Sequence, residues 1–395
     1  MRVLFFKPEL AWPRSSGHDV HTHAMMVALG LKGIRVSLAV LRQSPEPALT
    51  GLDLERYEVL DGSVPADAPA AILNRVQERF RSYWGIELAF IRQFGALSRE
   101  IGADVVVVSG LDVLPFLAAV ERSLRVWYAG DEWVIHHVSQ VQIGKSSTWA
   151  ELKPAFIKGV YERAYAPMID RSWVVSTPDV RAMRWLAGVR AVDLVQNGVD
   201  AAFIQSSDAS QTEDPYSCVF WGRLDFGPNI QAVDWFTKHV WRIIRGRNPH
   251  ATFKIIGYKP VGTIRALHGQ QGIELIPDCP DLRPQVAKCG VVVLPFVSGA
   301  GIKNKLLEAA AMKKAIVASP RAMLGLKGAP PIVVARAPQV WADAVQRFWE
   351  DGDSRRAAGR AAKAWVIAEH TWSAAADAAL MGIKSGLTEH RSHTT

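Results

Sequence analysis

Short runs of β-branched and apolar residues alternate with longer stretches of helical periodicity along almost the whole chain. In the first half, residues 3–6, 35–41, 105–109, 125–129, 172–176 and 192–196 read as strands. The first helical stretch follows Gly17 and puts Val20, Ala24, Val27, Ala28 and Leu31 on one stripe, with Ser16 and Asp19 as a capping-box start. The pattern then restarts. Strands are expected at 218–221, 252–256, 273–276, 291–296, 315–318 and 331–335, and a helix from Asn229 carries Ile230, Val233, Phe236, Val240 and Ile244 on one face. Between the two series lies Asp208-Ala-Ser-Gln-Thr-Glu-Asp-Pro215, polar and rich in turn formers, which reads as a linker. Alternation of this kind requires crossover connections and parallel sheets covered on both faces. The economical architecture is two doubly wound α/β domains facing a cleft, with ligands at the carboxyl ends of the strands.

Composition narrows the picture. The 395 residues are 49% hydrophobic and 21% charged, a globular profile that suits two or three domains. No apolar run reaches the roughly 18 residues of a membrane span. The opening Met1-Arg-Val-Leu-Phe-Phe6 is interrupted by Lys7-Pro8 too early for a signal peptide, so a cytoplasmic protein is expected. Cys218, Cys279 and Cys289 form no C-x-x-C pair and read as reduced thiols. The net charge of +8 is uneven: residues 1–198 hold 22 Lys and Arg against 21 Asp and Glu, and residues 199–395 hold 24 against 17. A basic second half suits an anionic small ligand. Nucleic acid is disfavoured, because no run of five Lys or Arg and no zinc-knuckle spacing occurs. Residues 72–93 bring Arg75, Arg79, Arg81 and Arg92 beside Phe80, Tyr83, Trp84 and Phe90. That segment reads either as an amphipathic helix on anionic lipid or as a core helix with a solvated basic face; the second reading is preferred, since packing accounts for the stripe equally well.

The densest chemical signal is Ser298-Gly-Ala-Gly-Ile-Lys-Asn-Lys-Leu-Leu-Glu308, directly after a buried-type strand. Gly299 and Gly301 allow backbone N–H groups close to a ligand, the following helix aims its positive end there, and Lys303 and Lys305 add cations. Glu308, one turn past Lys305, suits the hydroxyls of a ribose. A second candidate, Phe220-Trp-Gly222-Arg223, ends the first strand of the second series, where an arginine can fork onto a diphosphate. On the first half, Asp131 and Glu132 sit at a strand end, where they would orient or deprotonate an acceptor hydroxyl or simply start a helix. His18, His21 and His23 do not share one helix face, so no metal site is expected; His21 reads as an acceptor-side contact or a solvated group.

These residues resemble the retaining, nucleotide-sugar-dependent glycosyltransferases of group 1, with the GT-B fold. Asn197-Gly-Val-Asp200, Phe220-Trp-Gly-Arg223 with Pro228-Asn229, and Gly301-Ile-Lys-Asn-Lys-Leu-Leu-Glu-Ala309 are similar to blocks of that family, and Ser16-Gly17 to its loop after the first strand. The resemblance implies an acceptor-binding Rossmann-like domain over residues 1–198 and a donor-binding one over 199–370. It also implies a helix over 371–395 that crosses back to the first domain. It implies a nucleoside-diphosphate hexose as donor, a glycan or lipid-linked acceptor, retention, and neither metal nor cofactor. Ser16, Gly17, Gly222, Arg223, Gly299, Gly301, Lys303, Lys305 and Glu308 would then hold the donor, Arg223 on the diphosphate and Glu308 on the ribose. A peripheral contact with the inner face of a membrane is compatible with such an acceptor.

Three positions depart from the family pattern. Asp225-Phe-Gly-Pro-Asn229 lacks the usual lysine after Gly-Arg, so the second cation falls to Lys303 or Lys305. Ala300 stands where many members have a glutamate on the hexose, and Gly130 stands where many have a histidine before Asp131. Two other readings therefore stay open: an epimerase of nucleotide sugars on the same fold, and a protein that binds them without turnover. A dinucleotide dehydrogenase is disfavoured, because no G-x-G-x-x-G follows the first strand.

Overall fold

The computed structural model describes all residues except 13, 15, 16, 131–133, 135–146, 207–212, 300, 301, 327 and 393–395. The chain divides into two compact units: Met1–Gln196 together with Trp372–Thr395, and Asn197–Thr371. Of the expected linker, residues 208–212 lie outside the described residues, and Asp214 already begins a strand.

The first unit is built on seven parallel strands: β1 (Arg2–Phe6), β2 (Arg35–Val40), β3 (Leu54–Val59), β4 (Val105–Ser109), β5 (Leu124–Gly130), β6 (Arg171–Val174) and β7 (Val192–Leu194), in the order β3-β2-β1-β4-β5-β6-β7. The β-branched run Val105-Val-Val-Val108 is fully buried, as a strand covered on both faces must be. One face packs Phe6, Phe94, Phe116 and Trp127, and the other packs Phe5, Met25, Leu29 and Trp173. β3 was not foreseen. It reads Leu-Glu-Arg-Tyr-Glu-Val, without an apolar run, because it is the edge strand and its charged side chains pair outward, Arg56 with Glu58 and Glu100.

The first helix, Gly17–Leu31, corrects the expected stripe. Thr22, Met25, Met26, Ala28 and Leu29 are its buried face, and Leu31 is 85% exposed. The helix is apolar on more than one side, so periodicity alone could not orient it. The deciding partner is distant in sequence: Ala375, Ala376, Ala379 and Ile383 of helix Trp372–Ser392 share the same core. That helix can lie close to the sheet because Gly382 and Gly386 are one turn apart. A Cβ on the first would stand 2.3 Å from Asp193 Oδ2, and one on the second 2.9 Å from Arg171 and Leu124 side chains.

The second unit has six parallel strands: β8 (Asp214–Trp221), β9 (Thr252–Gly257), β10 (Ile273–Pro277), β11 (Cys289–Leu294), β12 (Ala315–Ala318) and β13 (Val333–Val334), in the order β10-β9-β8-β11-β12-β13. Val233, Phe236, Val240 and Ile244 are buried on the helical stretch after β8, as the stripe required, and Ile230 is partly buried. Cys218 and Cys289 are buried free thiols and Cys279 is partly exposed. In each sheet the strand order reverses once, between β1 and β4 and between β8 and β11. Ligands of open α/β sheets bind beyond the strand ends at such switch points. No described helix is long and apolar enough to cross a membrane.

Candidate functional site

In the second unit, the switch point gathers the residues that the sequence singled out. β8 ends in Phe220-Trp221-Gly222-Arg223, and β11 runs through Pro295-Phe296 to Ser298-Gly299 and the helix Asn304–Ala311. Gly222 has φ +143°, and a Cβ there would lie 2.4 Å from Lys305 Cε and 2.7 Å from its Nζ. Lys305 thus lies directly against the Gly222–Arg223 turn, its ammonium 5.8 Å from the Phe220 ring centroid and 5.7 Å from that of Phe296. Burial lowers its pKa, opposed by the nearby Glu308. Lys303 Nζ stands 5.5 Å from the Phe296 centroid on the same loop. Two cations thus lie over aromatic faces beside the glycine loop.

Glu308 accepts a hydrogen bond from the Trp221 indole Nε1 at 2.7 Å. Burial raises its pKa, while the Trp221 N–H and the Lys305 ammonium pull it down. Trp221 is a residue that the sequence reading quoted but gave no role; an indole at a strand end gives no sign of the carboxylate that it will meet 87 positions later. Asn197 donates from Nδ2 to Asn304 Oδ1 at 2.6 Å, tying the Asn-Gly-Val-Asp stretch to the start of the same helix. Two buried acceptors here have no hydrogen-bond partner among the described residues, Asn197 Oδ1 and Ser298 Oγ. Orphaned polar atoms beside a glycine loop suit a polar ligand. Arg223 is 38% exposed and pairs with Asp225 at 2.9 Å. Asn229 Nδ2 donates to its carbonyl oxygen at 2.7 Å and so fixes the turn. Gly299 has φ +93° and packs against Pro228, with Lys303 Nζ 3.4 Å from where its Cβ would be. Gly301 and the departure at Ala300 lie outside the described residues. A cavity of about 490 Å³ opens beside this cluster, at the ends of β11, β12 and β13, walled by Trp235, Phe296, Arg321, Arg336 and Trp341.

In the first unit, Gly17 is exposed at the start of its helix, and Ser16, Asp131 and Glu132 lie outside the described residues. His21, expected on the acceptor side, is instead 1% exposed. It stacks on Tyr128 at 4.1 Å, its Nε2 donates to the Val195 carbonyl oxygen at 3.3 Å, and burial lowers its pKa to about 3. Its neighbour His18 holds the more interesting place. Gly130 has φ +71°, and a Cβ there would collide with His18 Nε2 at 2.7 Å. The glycine that replaces the expected histidine is therefore the residue that leaves room for another imidazole. His18 Nε2 donates to the Ala129 carbonyl oxygen at 3.0 Å, and burial, then Lys7, lowers its pKa to about 4. Sequence inspection could not have found this, because 112 positions separate the two residues. Among the described residues, no group of three His, Cys, Asp or Glu could hold a metal ion.

The depressed histidine values carry a stability consequence. A folded-state pKa below the unfolded 6.5 means that the neutral ring stabilises the fold above pH 6.5, and that this contribution is lost as the pH falls towards 3. At ~1.4 kcal/mol per unit, His21 costs wild type about 2 kcal/mol between pH 7 and 5. His21→Phe, which keeps the stack on Tyr128 but cannot titrate, should lose correspondingly less in urea unfolding. Equal acid sensitivity in the two proteins would rule out the assignment.

Residues 215–351 match the family model of glycosyl transferases group 1, a span wholly within the second unit. The likeness to group 1 glycosyltransferases thus lies within the second unit, and the chain has the fold of the GT-B glycosyltransferases. Three solved structures illustrate it. HepE from Anabaena, in complex with UDP and glucose, superposes with a TM-score of 0.63 at 13% identity over 97% of this chain and 99% of its own. TarM does so with a TM-score of 0.68 at 10% identity, over 97% and 98%. The pneumococcal O-GlcNAc transferase GtfA, in complex with UDP and GlcNAc, gives 0.64 at 9% identity, over 98% and 99%. Identity this low speaks for the fold, and function must be argued from the site. No curated protein matches the chain in sequence.

Proposed function

We propose that the protein transfers a hexose from a nucleoside-diphosphate sugar to a hydroxyl of a glycan or lipid-linked acceptor, with retention at the anomeric carbon and without metal or cofactor. The observation that carries this reading is the cluster of Glu308, Trp221, Lys305 and Gly222 at the switch point of the second sheet. Glu308, aimed by the Trp221 N–H, accepts from the vicinal ribose hydroxyls. The diphosphate lies over the Gly222 and Gly299 backbone, where Arg223, Lys303 and Lys305 and the positive end of helix Asn304–Ala311 supply charge. The second unit is then the donor-binding domain and the first the acceptor-binding one.

On the first unit, the roles implied for Ser16 and Gly17, on the donor phosphate, and for Asp131 and Glu132, on the acceptor hydroxyl, fall on residues of which only Gly17 is described. His18, neutral at physiological pH and set against Gly130, brings an imidazole to the place of the histidine absent at position 130 and there holds the Ala129 carbonyl oxygen. UDP in the complexes of HepE and GtfA makes uridine nucleotides the first donors to try.

The decisive experiment incubates the protein with UDP- and GDP-hexoses, with and without a chelator, and follows free nucleotide and sugar. Slow hydrolysis or transfer, unchanged by the chelator, supports the proposal. Interconversion of the sugars would instead assign an epimerase, and tight binding without turnover a binding protein.

A further inference from the structure

The cavity at the ends of β11, β12 and β13 is distinct from the cluster at the β8–β11 switch point. It shares Phe296 with that cluster, but Gly222, Arg223, Lys303, Lys305 and Glu308 do not line it. Its shape is fixed by hydrogen bonds between the loops that follow the three strands. Ser319 N donates to the Leu294 carbonyl oxygen at 3.1 Å, Ser319 Oγ to that of Phe296 at 2.7 Å, and Ala335 N to that of Ala318 at 2.9 Å. One wall is aromatic. Trp235 meets Trp341 edge-on with ring centroids 6.0 Å apart, and Trp341 is fully buried. Trp341 Nε1 has no hydrogen-bond partner among the described residues. Val297 and Leu324, which also line the cavity, keep 43% and 40% of their surface in solvent.

The charge around the cavity has one sign. Arg321, on the turn Pro320–Met323 that Ser319 caps, and Arg336, after β13, both line it, and no described Asp or Glu does. Neither arginine has an ion-pair partner among the described residues. Two guanidiniums around one cavity repel each other, and an anion bound there removes that cost while using their planar sets of donors. An anion alone leaves most of the space unfilled: about 490 Å³ falls within the roughly 300–1,000 Å³ of small-molecule sites. The remainder of the ligand lies against indole and phenyl rings, whose electron-rich faces attract the polarised C–H groups of a pyranose. Guanidinium and indole N–H groups donate and do not accept, so the ligand they suit is rich in oxygen acceptors.

We propose that this cavity binds a sugar-sized ring bearing a phosphate or a carboxylate, at a site separate from the nucleotide cluster. The inference rests on the second unit alone and does not depend on the donor reading, so its test uses no turnover.

The full chain is titrated calorimetrically with glucose 1-phosphate, glucuronate, glucose and inorganic phosphate, each with and without UDP. Glucose 1-phosphate or glucuronate should bind at least about tenfold more tightly than glucose or inorganic phosphate, with UDP present as in its absence. Which of the two binds tells phosphate from carboxylate. Arg321→Ala combined with Arg336→Ala should lower that affinity at least about tenfold, with the melting temperature unchanged, because neither side chain has an ion pair to lose. Trp235→Leu should weaken the sugar anion and leave inorganic phosphate as it was, because only the ring face is removed. No binding of either sugar anion, binding no tighter than that of inorganic phosphate, or affinity that survives the double substitution would overturn the proposal. So would displacement by UDP, which would assign the ligand to the nucleotide cluster.

Discussion

Glu308→Gln is expected to lower the affinity for UDP or GDP by 10- to 100-fold without lowering the melting temperature. The amide keeps an oxygen to accept from Trp221 Nε1, now at 2.7 Å from the carboxylate, so the local packing survives. What is lost is an ionised acceptor for two ribose hydroxyls, each such bond being worth roughly 1.5–3 kcal/mol, against about 1.4 kcal/mol per factor of ten. Removing a partly buried carboxylate also removes a desolvation cost, so the fold should not suffer. The pH dependence has a definite sign. Burial raises the carboxyl pKa, and only the ionised form binds well, so wild-type affinity should fall in mild acid while that of Glu308→Gln stays flat. Lys305→Ala should weaken UDP more than UMP, because its ammonium lies against the turn where the diphosphate is placed. Calorimetric titration decides. Unchanged nucleotide affinity in both variants would reduce the pair to a structural contact and remove the donor-site assignment.

The largest effect on stability is expected from Gly257→Ala. Gly257 closes β9 with φ +158°, and a Cβ there would stand 1.7 Å from the Gly222 carbonyl oxygen. Gly222 N in turn donates to the Ile256 carbonyl oxygen at 2.9 Å, so the ends of β8 and β9 are locked backbone to backbone. No rotamer change relieves a collision with backbone. Strain at the residue and displacement of the turn together should cost about 3 kcal/mol or more in urea unfolding. Whatever protein still folds should also bind nucleotide poorly, because the Gly222–Arg223 turn moves. Gly262→Ala is the control: nothing lies within 4 Å of its Cβ, and it should change stability by no more than about 0.5 kcal/mol. A Gly257→Ala protein as stable as that control would refute the close approach.

Much of this site is local, and so it was legible in the sequence. Gly299, Lys303, Lys305 and Glu308 occupy ten consecutive positions of strand end, loop and helix start. Loop and helix geometry are short-range properties, so these groups fall together whatever the rest of the chain does. The apolar runs Val105–Val108 and Val291–Leu294 were equally plain, because burial on both faces favours apolar residues at every position. β3 was missed for the opposite reason: an edge strand pairs on one side only and may carry charge.

By itself, then, the sequence determined two α/β series, a basic second half, and a glycine-and-lysine loop ahead of Glu308. Only the tertiary structure decided which face of helix Gly17–Leu31 is buried, since that depends on a helix more than 340 residues away. It alone matched Trp221 to Glu308, set His18 into the space at Gly130, and buried His21. It also packed Phe80 and Phe90 against the core while leaving Tyr83 exposed, a division that the apolar stripe could not show. The physical reason is common to all of these: periodicity and spacing report what a segment can bury or present, while the partner that it meets is chosen by chain topology far along the sequence.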